Sequence, residues 1–352
     1  MRILYGIQGT GNGHISRSRE VLRELDALGH TLTVLVSGRS LEAPLDLGVV
    51  PDPLKREGLT FRTRAGRVRL LSTALNLRPG RLWKDIQDLD QLPVKPDLVI
   101  TDFEPISAWW ARKRGIPTIG LGHQYAFQHP IPVPAGQFAG KLVLKRFAPA
   151  SCPVGLHWDA FGAPILPPIV PDLPEPDAHR DESLLLVYLP FESRHDITRL
   201  LLPLDHLRVR IYGHPSGPPD EAMPSHIRWL GFSRQAFLED LGRCGGVLCS
   251  AGFELPSEVI HMGARLLVKP LNGQVEQEAN ALAIQELGLG WARRTLDGGT
   301  VARWMESALP PRRPWPPVAR LVAQWIHLGD WKSLDTLVER CWTRAADSPP
   351  LP

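Results

Sequence analysis

The sequence has few cysteines and no long apolar run. Only four of its 352 residues are cysteine, at positions 152, 244, 249 and 341, and they do not have the spacing of a metal site. Such sparse use predicts reduced, structural thiols in a cytosolic protein. No stretch reaches the length of about 18 consecutive apolar residues that a membrane-spanning helix needs. The net charge of only +3 does not indicate a nucleic-acid partner.

The rest of the composition is typical of a globular protein. Hydrophobic residues make up 43% and charged residues 22%, and 352 residues suit two domains better than one. Residues 1–6 predict a strand rather than a signal peptide, so we expect a cytoplasmic protein. The segment 55–84 holds nine Lys or Arg and a single acid, Glu57. It is either a solvated surface or a patch that contacts anionic lipid at the inner face of the membrane, or an anionic acceptor.

Apolar runs alternate with helical patterns, which predicts an α/β fold of two doubly wound parallel sheets. The strands are expected at 3–7, 32–36, 98–101, 118–121, 183–189, 207–211, 227–230, 246–249 and 265–268. The helices are expected at 15–28, 106–114, 233–241, 255–262, 277–287, 301–308, 318–327 and 331–344.

Six prolines between positions 163 and 176 exclude a helix or a central strand there and predict a linker. We therefore expect an N-terminal domain at 1–163, a linker at 164–176 and a C-terminal domain at 177–317. Terminal helices at about 318–346 would pack back on the first domain.

Alternating glycines follow the first strand, at Gly9, Gly11 and Gly13, and His14 comes next. Glycines after a strand allow a tight turn and a close approach by a ligand or a second domain. The pattern departs from the G-x-G-x-x-G of a nicotinamide dinucleotide site. The second strand also lacks the acid of such a site, since it ends in Ser37-Gly38-Arg39. Both departures disfavour a dinucleotide ligand.

His14 is either a structural histidine near the start of a helix or a general base. Its place in a glycine loop at the carboxyl edge of a sheet favours the base, which takes a proton from a substrate hydroxyl near neutral pH. Asp102 or Glu104, at the end of another strand, could orient its ring, and we favour Asp102. Helix N-capping is the alternative role for either carboxylate. His123 ends the next strand and could line the same cleft.

A second small-residue turn lies in the other half, at Ser250, Ala251 and Gly252, before Phe253 and a helix. The N-terminus of a helix after such a turn can bind phosphate without a metal ion. Glu258 could accept hydrogen bonds from a ribose diol, or it could simply complement the helix dipole. The loop with Gln274, Glu276 and Gln277 is rich in groups that suit the hydroxyls of a hexose.

Together these residues resemble the nucleotide-sugar glycosyltransferases of GT-B architecture, two facing Rossmann-like domains with the active site in the cleft between them. The likeness is to the branch with the UDP-glycosyltransferases and the peptidoglycan N-acetylglucosaminyltransferase. It implies an acceptor side at Gly11, Asn12, Gly13 and His14, and Glu104 and His123 would join it from the ends of the neighbouring strands. It implies donor contacts from Ser250, Ala251, Gly252, Phe253, Glu258, Gln274, Glu276 and Gln277, and a uracil site near Gly231, Phe232 and Ser233.

The sequence also departs from this family. The usual Gly-Gly of the phosphate turn is Ala251-Gly252, and the loop that often reads Gly-Gly-Ser spans residues 189–195 here. Ser193 and the following helix start could substitute for the lost phosphate contacts. Asp88-Leu89-Asp90 spells a D-x-D triad but falls within a helical pattern, so we expect neither a metal ion nor a cofactor.

The function expected is inverting transfer of a hexose-type sugar from a nucleotide sugar, UDP-linked, to an acceptor hydroxyl. Two alternatives stay open: an epimerase of the same fold, and a non-catalytic partner protein that binds sugar nucleotides. The acceptor, the sugar and the oligomeric state cannot be read from the sequence.

Overall fold

Two parallel sheets with helices packed on them form the protein. The computed structural model describes residues 1–40, 47–58, 63–64, 67–68, 79–135, 146–213, 224–231, 233–329, 331 and 333–346. Much of the basic segment 55–84 therefore lies outside the described residues, as does Phe232.

Strands of the first half are β1 (Arg2–Gln8), β2 (Thr31–Ser37), β3 (Leu54–Arg56), β4 (Thr63–Arg64), β5 (Arg67–Val68), β6 (Leu98–Asp102), β7 (Thr118–Gly122), β8 (Cys152–Leu156) and β9 (Ile165–Leu166). Seven of them form a parallel sheet in the order β3-β2-β1-β6-β7-β8-β9, and β4 pairs with β5. Every residue of β6 and β7 is buried, because the sheet is covered on both faces.

Strands of the second half are β10 (Asp181–Tyr188), β11 (Arg208–Tyr212), β12 (Ile227–Leu230), β13 (Cys244–Ser250), β14 (Arg265–Lys269) and β15 (Trp291–Ala292). They form a parallel sheet in the order β12-β11-β10-β13-β14-β15. In each sheet the strand order reverses at the first strand of that half, β1 or β10. Ligands of doubly wound proteins bind at the carboxyl ends of the strands beside such a reversal.

The helices are α1 (Asn12–Ala27), α2 (Pro79–Asp88), α3 (Pro105–Arg114), α4 (His123–Ala126), α5 (Arg194–Leu201), α6 (Arg234–Arg243), α7 (Glu254–Met262), α8 (Val275–Glu286), α9 (Gly298–Met305), α10 (Val318–Leu328) and α11 (Asp335–Ala346). α3 ends at Gly115, whose φ of +66° is the left-handed conformation that glycine adopts without strain. None of the described helices is both long and apolar enough to cross a membrane.

The proline-rich stretch 163–176 leads from the first sheet to the second. Its only regular structure within the described residues is β9, a two-residue strand at the edge of the first sheet. An edge position suits this stretch, because proline has no backbone N–H with which to hydrogen-bond a second neighbouring strand.

Both terminal helices contact the first half of the chain. Arg320 of α10 pairs with Glu24 of α1 (3.4 Å), and His327 lies 3.3 Å from His30. Trp342 of α11 donates through Nε1 to the carbonyl oxygen of Ile165 (2.7 Å). The C-terminal helices thus pack against the first half of the chain.

Candidate active site

The first half of the site forms where β1 ends. α1 begins at Asn12, and Gly11 occupies its N-cap position with an extended backbone (φ −144°, ψ 156°). Gly11 and Asn12 are exposed, and the Asn12 side chain accepts a hydrogen bond from Arg39 (3.1 Å). His14 follows in the first turn of α1, beside Asp102 at the end of β6.

His14 and Asp102 form a hydrogen-bonded pair. His14 Nδ1 lies 2.8 Å from Asp102 Oδ1, and Asp102 is fully buried while 14% of the His14 side chain is exposed. An ionised carboxylate only accepts, so we assign the proton to Nδ1, which leaves Nε2 as the acceptor nitrogen. Arg17 Nη2 lies 2.8 Å from Nδ1 but cannot donate to it in this tautomer, and it donates instead to Asp102 Oδ1. Nε2 has no hydrogen-bond partner among the described residues. This is the arrangement of a general base oriented by a carboxylate.

Arg17 keeps Asp102 ionised. Burial by itself would raise the pKa of Asp102, but Arg17 and His14 outweigh burial and hold that pKa below its ordinary value. Arg17 donates to Asp102 through Nε (2.8 Å) and through Nη2, and Ser18 Oγ donates at 2.9 Å.

No sequence motif indicated a role for Arg17. Its side chain is 2% exposed, and besides Asp102 it contacts His14 Nδ1 (2.8 Å), Gln124 Oε1 (3.3 Å) and the carboxylate of Glu254. Only its spacing of three residues from His14, which puts both on one face of α1, could have indicated it.

Glu104, expected on the acceptor side, instead caps a helix. It is fully buried, and its carboxylate accepts from the backbone amides of Ile106 (2.8 Å) and Ser107 (2.7 Å) and from Ser37 Oγ (2.7 Å). The alternative role of N-cap therefore applies to Glu104, because its oxygens satisfy the first turn of α3.

His123 does not line an open cleft, contrary to the expectation. It is fully buried, and burial lowers its pKa. Its ring stacks on Phe253 of the second half at 4.1 Å between centroids, and its Nε2 lies 2.7 Å from Asn280 Oδ1. His123 is thus part of the contact between the halves.

The second half of the site forms where β13 ends. Ser250 closes the strand, Ala251 and Phe253 are buried, and Gly252 leads into α7. The first turn of α7 offers the amides of Glu254 and Leu255, while Pro256 has none. These amides and the helix dipole are the groups that bind an anion.

Glu258 is buried on α7 with both oxygens engaged by one guanidinium. Arg234 of α6 donates to Oε1 at 2.6 Å and to Oε2 at 3.0 Å. The carboxylate is therefore fixed in orientation and keeps further lone pairs for other donors.

The three side chains predicted at the start of α8 have three different roles. Gln277 is buried, and its Oε1 accepts from the amide of Leu271 (3.0 Å), so it holds the loop rather than facing a sugar. Glu276 accepts from Gln124 Nε2 at 3.2 Å, across the boundary between the halves. Gln274 Oε1 is buried without a partner among the described residues.

The other expected donor residues lie at helix starts. Ser233 caps α6 by accepting from the amide of Ala236 (3.3 Å), and Ser193 caps α5 by accepting from the amide of Asp196 (3.1 Å). Gly231 is exposed with open space around it. Phe232 is not among the described residues, so its role stays a prediction.

The two halves meet beside His14. Arg17 pairs with Glu254, and a Cβ atom built on Gly13 would lie 2.6 Å from Glu254 Cδ. The missing side chain of Gly13 thus permits the second half to approach the base. His14 and the first turn of α7 therefore lie close to each other at the boundary between the two halves.

Known proteins resemble this chain over most of its length. A family model described as glycosyl transferase family 1 matches residues 1–310. An uncharacterized glycosyltransferase of Methanosarcina mazei is 25% identical over 338 residues, 82% of this chain and 85% of that protein.

Solved structures share the fold. UGT89C1 of Arabidopsis thaliana, complexed with UDP, has a TM-score of 0.57 at 15% identity and matches 97% of this chain and 99% of that chain. SsfS6 of Streptomyces sp. SF2575, complexed with thymidine diphosphate, has a TM-score of 0.53 at 16% identity and matches 99% and 96%. The predicted fold of two Rossmann-like domains is confirmed. The family model spans most of the chain, and so this chain belongs to glycosyl transferase family 1 and is a glycosyltransferase of GT-B fold.

Proposed function

We propose that this glycosyltransferase moves a hexose-type sugar from a UDP-sugar to an acceptor hydroxyl with inversion, and that His14 is the general base. The observation that carries the proposal is the fixed ring of His14. Its Nδ1 is held 2.8 Å from buried Asp102, and its acceptor nitrogen Nε2 is left for a substrate proton beside the anion-binding end of α7.

The diphosphate of the donor binds at the start of α7. The amides of Glu254 and Leu255 and the positive end of the helix dipole stabilise the charge that develops on the leaving diphosphate, without a metal ion or cofactor. UDP and thymidine diphosphate in the solved structures named above support a nucleoside diphosphate as leaving group.

The chemical step needs one proton acceptor. The acceptor oxygen attacks the anomeric carbon from the face opposite the diphosphate while its proton passes to His14 Nε2. The bond from the anomeric carbon to the phosphate oxygen breaks, and its electron pair leaves with UDP. Asp102 stabilises the imidazolium that forms, because its carboxylate stays charged beside Nδ1.

The remaining donor contacts follow from the second half of the site. Glu258 accepts from the ribose hydroxyls with the lone pairs that Arg234 leaves unused. Glu276 and Gln274 contact the sugar, and the base lies against residues 231–233. Gln274 Oε1 supports this assignment, since a buried oxygen without a partner among the described residues gains a hydroxyl donor there.

A single variant tests the base. His14→Ala should lower turnover by about 10²- to 10⁴-fold and leave UDP affinity nearly unchanged. The donor is first found by thermal shift with a panel of nucleotide sugars, and turnover is read as UDP release with lipid, saccharide and aromatic acceptors. His179→Ala, at an exposed histidine, is the matched control. Wild-type turnover in His14→Ala would rule out the base.

The same assay separates the alternatives. An epimerase would release UDP or free sugar with no acceptor present, whereas the proposed transfer needs one. A non-catalytic partner protein would bind UDP and show no turnover with any acceptor. A nicotinamide enzyme would bind NADH in a fluorescence titration.

The proposal includes a cytoplasmic protein that reaches an acceptor at the inner face of the membrane. The face formed by α2 and α3 supports this. Trp83 is 50% and Trp109 is 39% exposed, and Lys113 and Arg112 lie over their rings at 4.2 and 5.3 Å. Exposed tryptophans beside basic side chains suit an anionic lipid surface.

A further inference from the structure

An ion pair crosses between the halves one turn away from His14. Arg17 of α1 and Glu254, the first residue of α7, form it, and their side chains are 2% and 19% exposed. Neither residue was assigned a role from the sequence. The pair joins the helix that carries the base to the helix that would bind the diphosphate.

We propose that Glu254 is a positioning residue: by holding Arg17 across the domain boundary, it aligns the His14–Asp102 pair with the start of α7 in the closed arrangement of the domains. This inference rests on the function proposed above and deepens it. It adds that the base faces the donor only while Glu254 and Arg17 are paired.

The planar guanidinium of Arg17 binds two carboxylates at once. Arg17 binds Asp102 through Nε and Nη2 and binds Glu254 through Nη1. Because the guanidinium is a rigid plane, these contacts fix the two carboxylates relative to each other. His14 Nδ1 shares Asp102 Oδ1 with Arg17, so the position of the imidazole follows from the same plane.

The glycine loop is shaped for this pair. A Cβ atom at Gly13 would lie 2.6 Å from Glu254 Cδ, whereas a Cβ atom at Gly11 would meet nothing within 4 Å. Two glycines of one loop therefore differ in what they permit. The absence of a side chain is required for the approach of Glu254 only at position 13.

Glu254→Gln is the decisive variant, because it removes one charge at a partly exposed site and leaves Arg17 paired with Asp102. The catalytic efficiency kcat/KM for the donor should fall about tenfold, in the range of measured coupling energies. The melting temperature should change little.

Glycine variants supply the matched control. Gly13→Ala should lower kcat/KM like Glu254→Gln, and the double variant should be no worse than either alone, since both break one contact. Gly80→Ala, in α2, where a Cβ atom would also meet nothing within 4 Å, should behave as wild type. Additive losses in the double variant, or equal losses in Gly80→Ala, would contradict the proposal.

A distance measurement decides the proposal without any sugar transfer. Spin labels are attached to cysteines introduced by Asp26→Cys and His206→Cys, at one exposed position in each half. Cys152→Ser removes the partly exposed native thiol. Pulsed EPR then reports the distance between the two halves. Glu254→Gln and Gly13→Ala should lengthen or broaden it, and Gly80→Ala should not. Unchanged distances in both variants overturn the positioning role. An active His14→Ala enzyme would overturn the base alone.

Discussion

Asp102→Asn removes one buried charge and keeps the size of the side chain. Asp102 accepts from His14 Nδ1, from Arg17 and from Ser18. An amide offers a single oxygen, which stays at the Oδ2 position as the acceptor for Arg17 Nε and Ser18 Oγ. The new NH₂ group then faces His14 Nδ1, which must become the acceptor. Nε2 takes the proton, and the ring can no longer act as a base.

Two separate magnitudes follow from this change. Loss of general-base catalysis lowers kcat by about 10²- to 10⁴-fold. Stability falls by about 3 kcal/mol, at the low end for a broken buried ion pair, because Glu254 still neutralises Arg17. A loss of that size lowers the melting temperature by about 6–12 °C in a domain of this size. UDP affinity should be unchanged, since Asp102 lies outside the donor side.

The pH dependence gives an independent check. The folded state holds the pKa of Asp102 below its ordinary value, so its stabilisation is present at neutral pH and is lost as the pH falls through the folded pKa. The difference in melting temperature between wild type and Asp102→Asn should therefore narrow as the pH falls from about 7 to about 3.

The surface variant Asp97→Asn is the control for these measurements. Asp97 pairs with Arg2 and is 41% exposed, so its loss should change stability little and turnover not at all. Wild-type turnover in Asp102→Asn, or a melting-temperature difference that does not change with pH, would refute the reasoning.

Two further predictions concern the donor and the membrane. Glu258→Ala should weaken UDP affinity about tenfold and lower kcat less, because a ribose contact is made in both the ground state and the transition state. Titration calorimetry measures the UDP affinity, and Glu239→Ala is the control. Trp83→Ala combined with Trp109→Ala should abolish sedimentation with vesicles of phosphatidylcholine and phosphatidylserine at low salt, and equal binding by the double variant would contradict a lipid-facing surface.

The regular part of the fold could be predicted from local patterns. Buried parallel strands read as apolar runs, and Gly115 with Pro117 marks the end of α3 at the expected residue. The two-residue strand β15 and the four-residue helix α4 could not be predicted. They are too short for periodicity, and pairing with a neighbouring strand or packing on one decides them.

The site could be predicted in part for a similar reason. The carboxyl ends of neighbouring parallel strands lie at one edge of the sheet, and this predicted that His14 and Asp102 lie close together. Asp102 and Glu104 are separated by Phe103, which has a φ of +55°. A positive φ is rare for phenylalanine, and no residue pattern predicts it. The sequence therefore could not show that the two carboxylates have different partners.

Contacts between the halves could not be predicted from the sequence. The pairs Arg17–Glu254 and Gln124–Glu276 join residues 237 and 152 positions apart. Nothing local distinguishes these glutamates from acids that complement a helix dipole, since both stand in the first turn of a helix. Only the docking of the two halves gives them partners.

That docking has a consequence for donor affinity under the proposed function. Glu254 lies at the start of α7, where the diphosphate would bind to the backbone amides of the first turn. The carboxylate and the diphosphate are both negatively charged. An uncompensated carboxylate there would repel the donor. Arg17 neutralises it from the other domain, without itself lying at the diphosphate site. As long as Glu254 is charged, the first domain therefore contributes to donor binding through electrostatics, and donor affinity should depend on closure as well as on the second domain's own contacts.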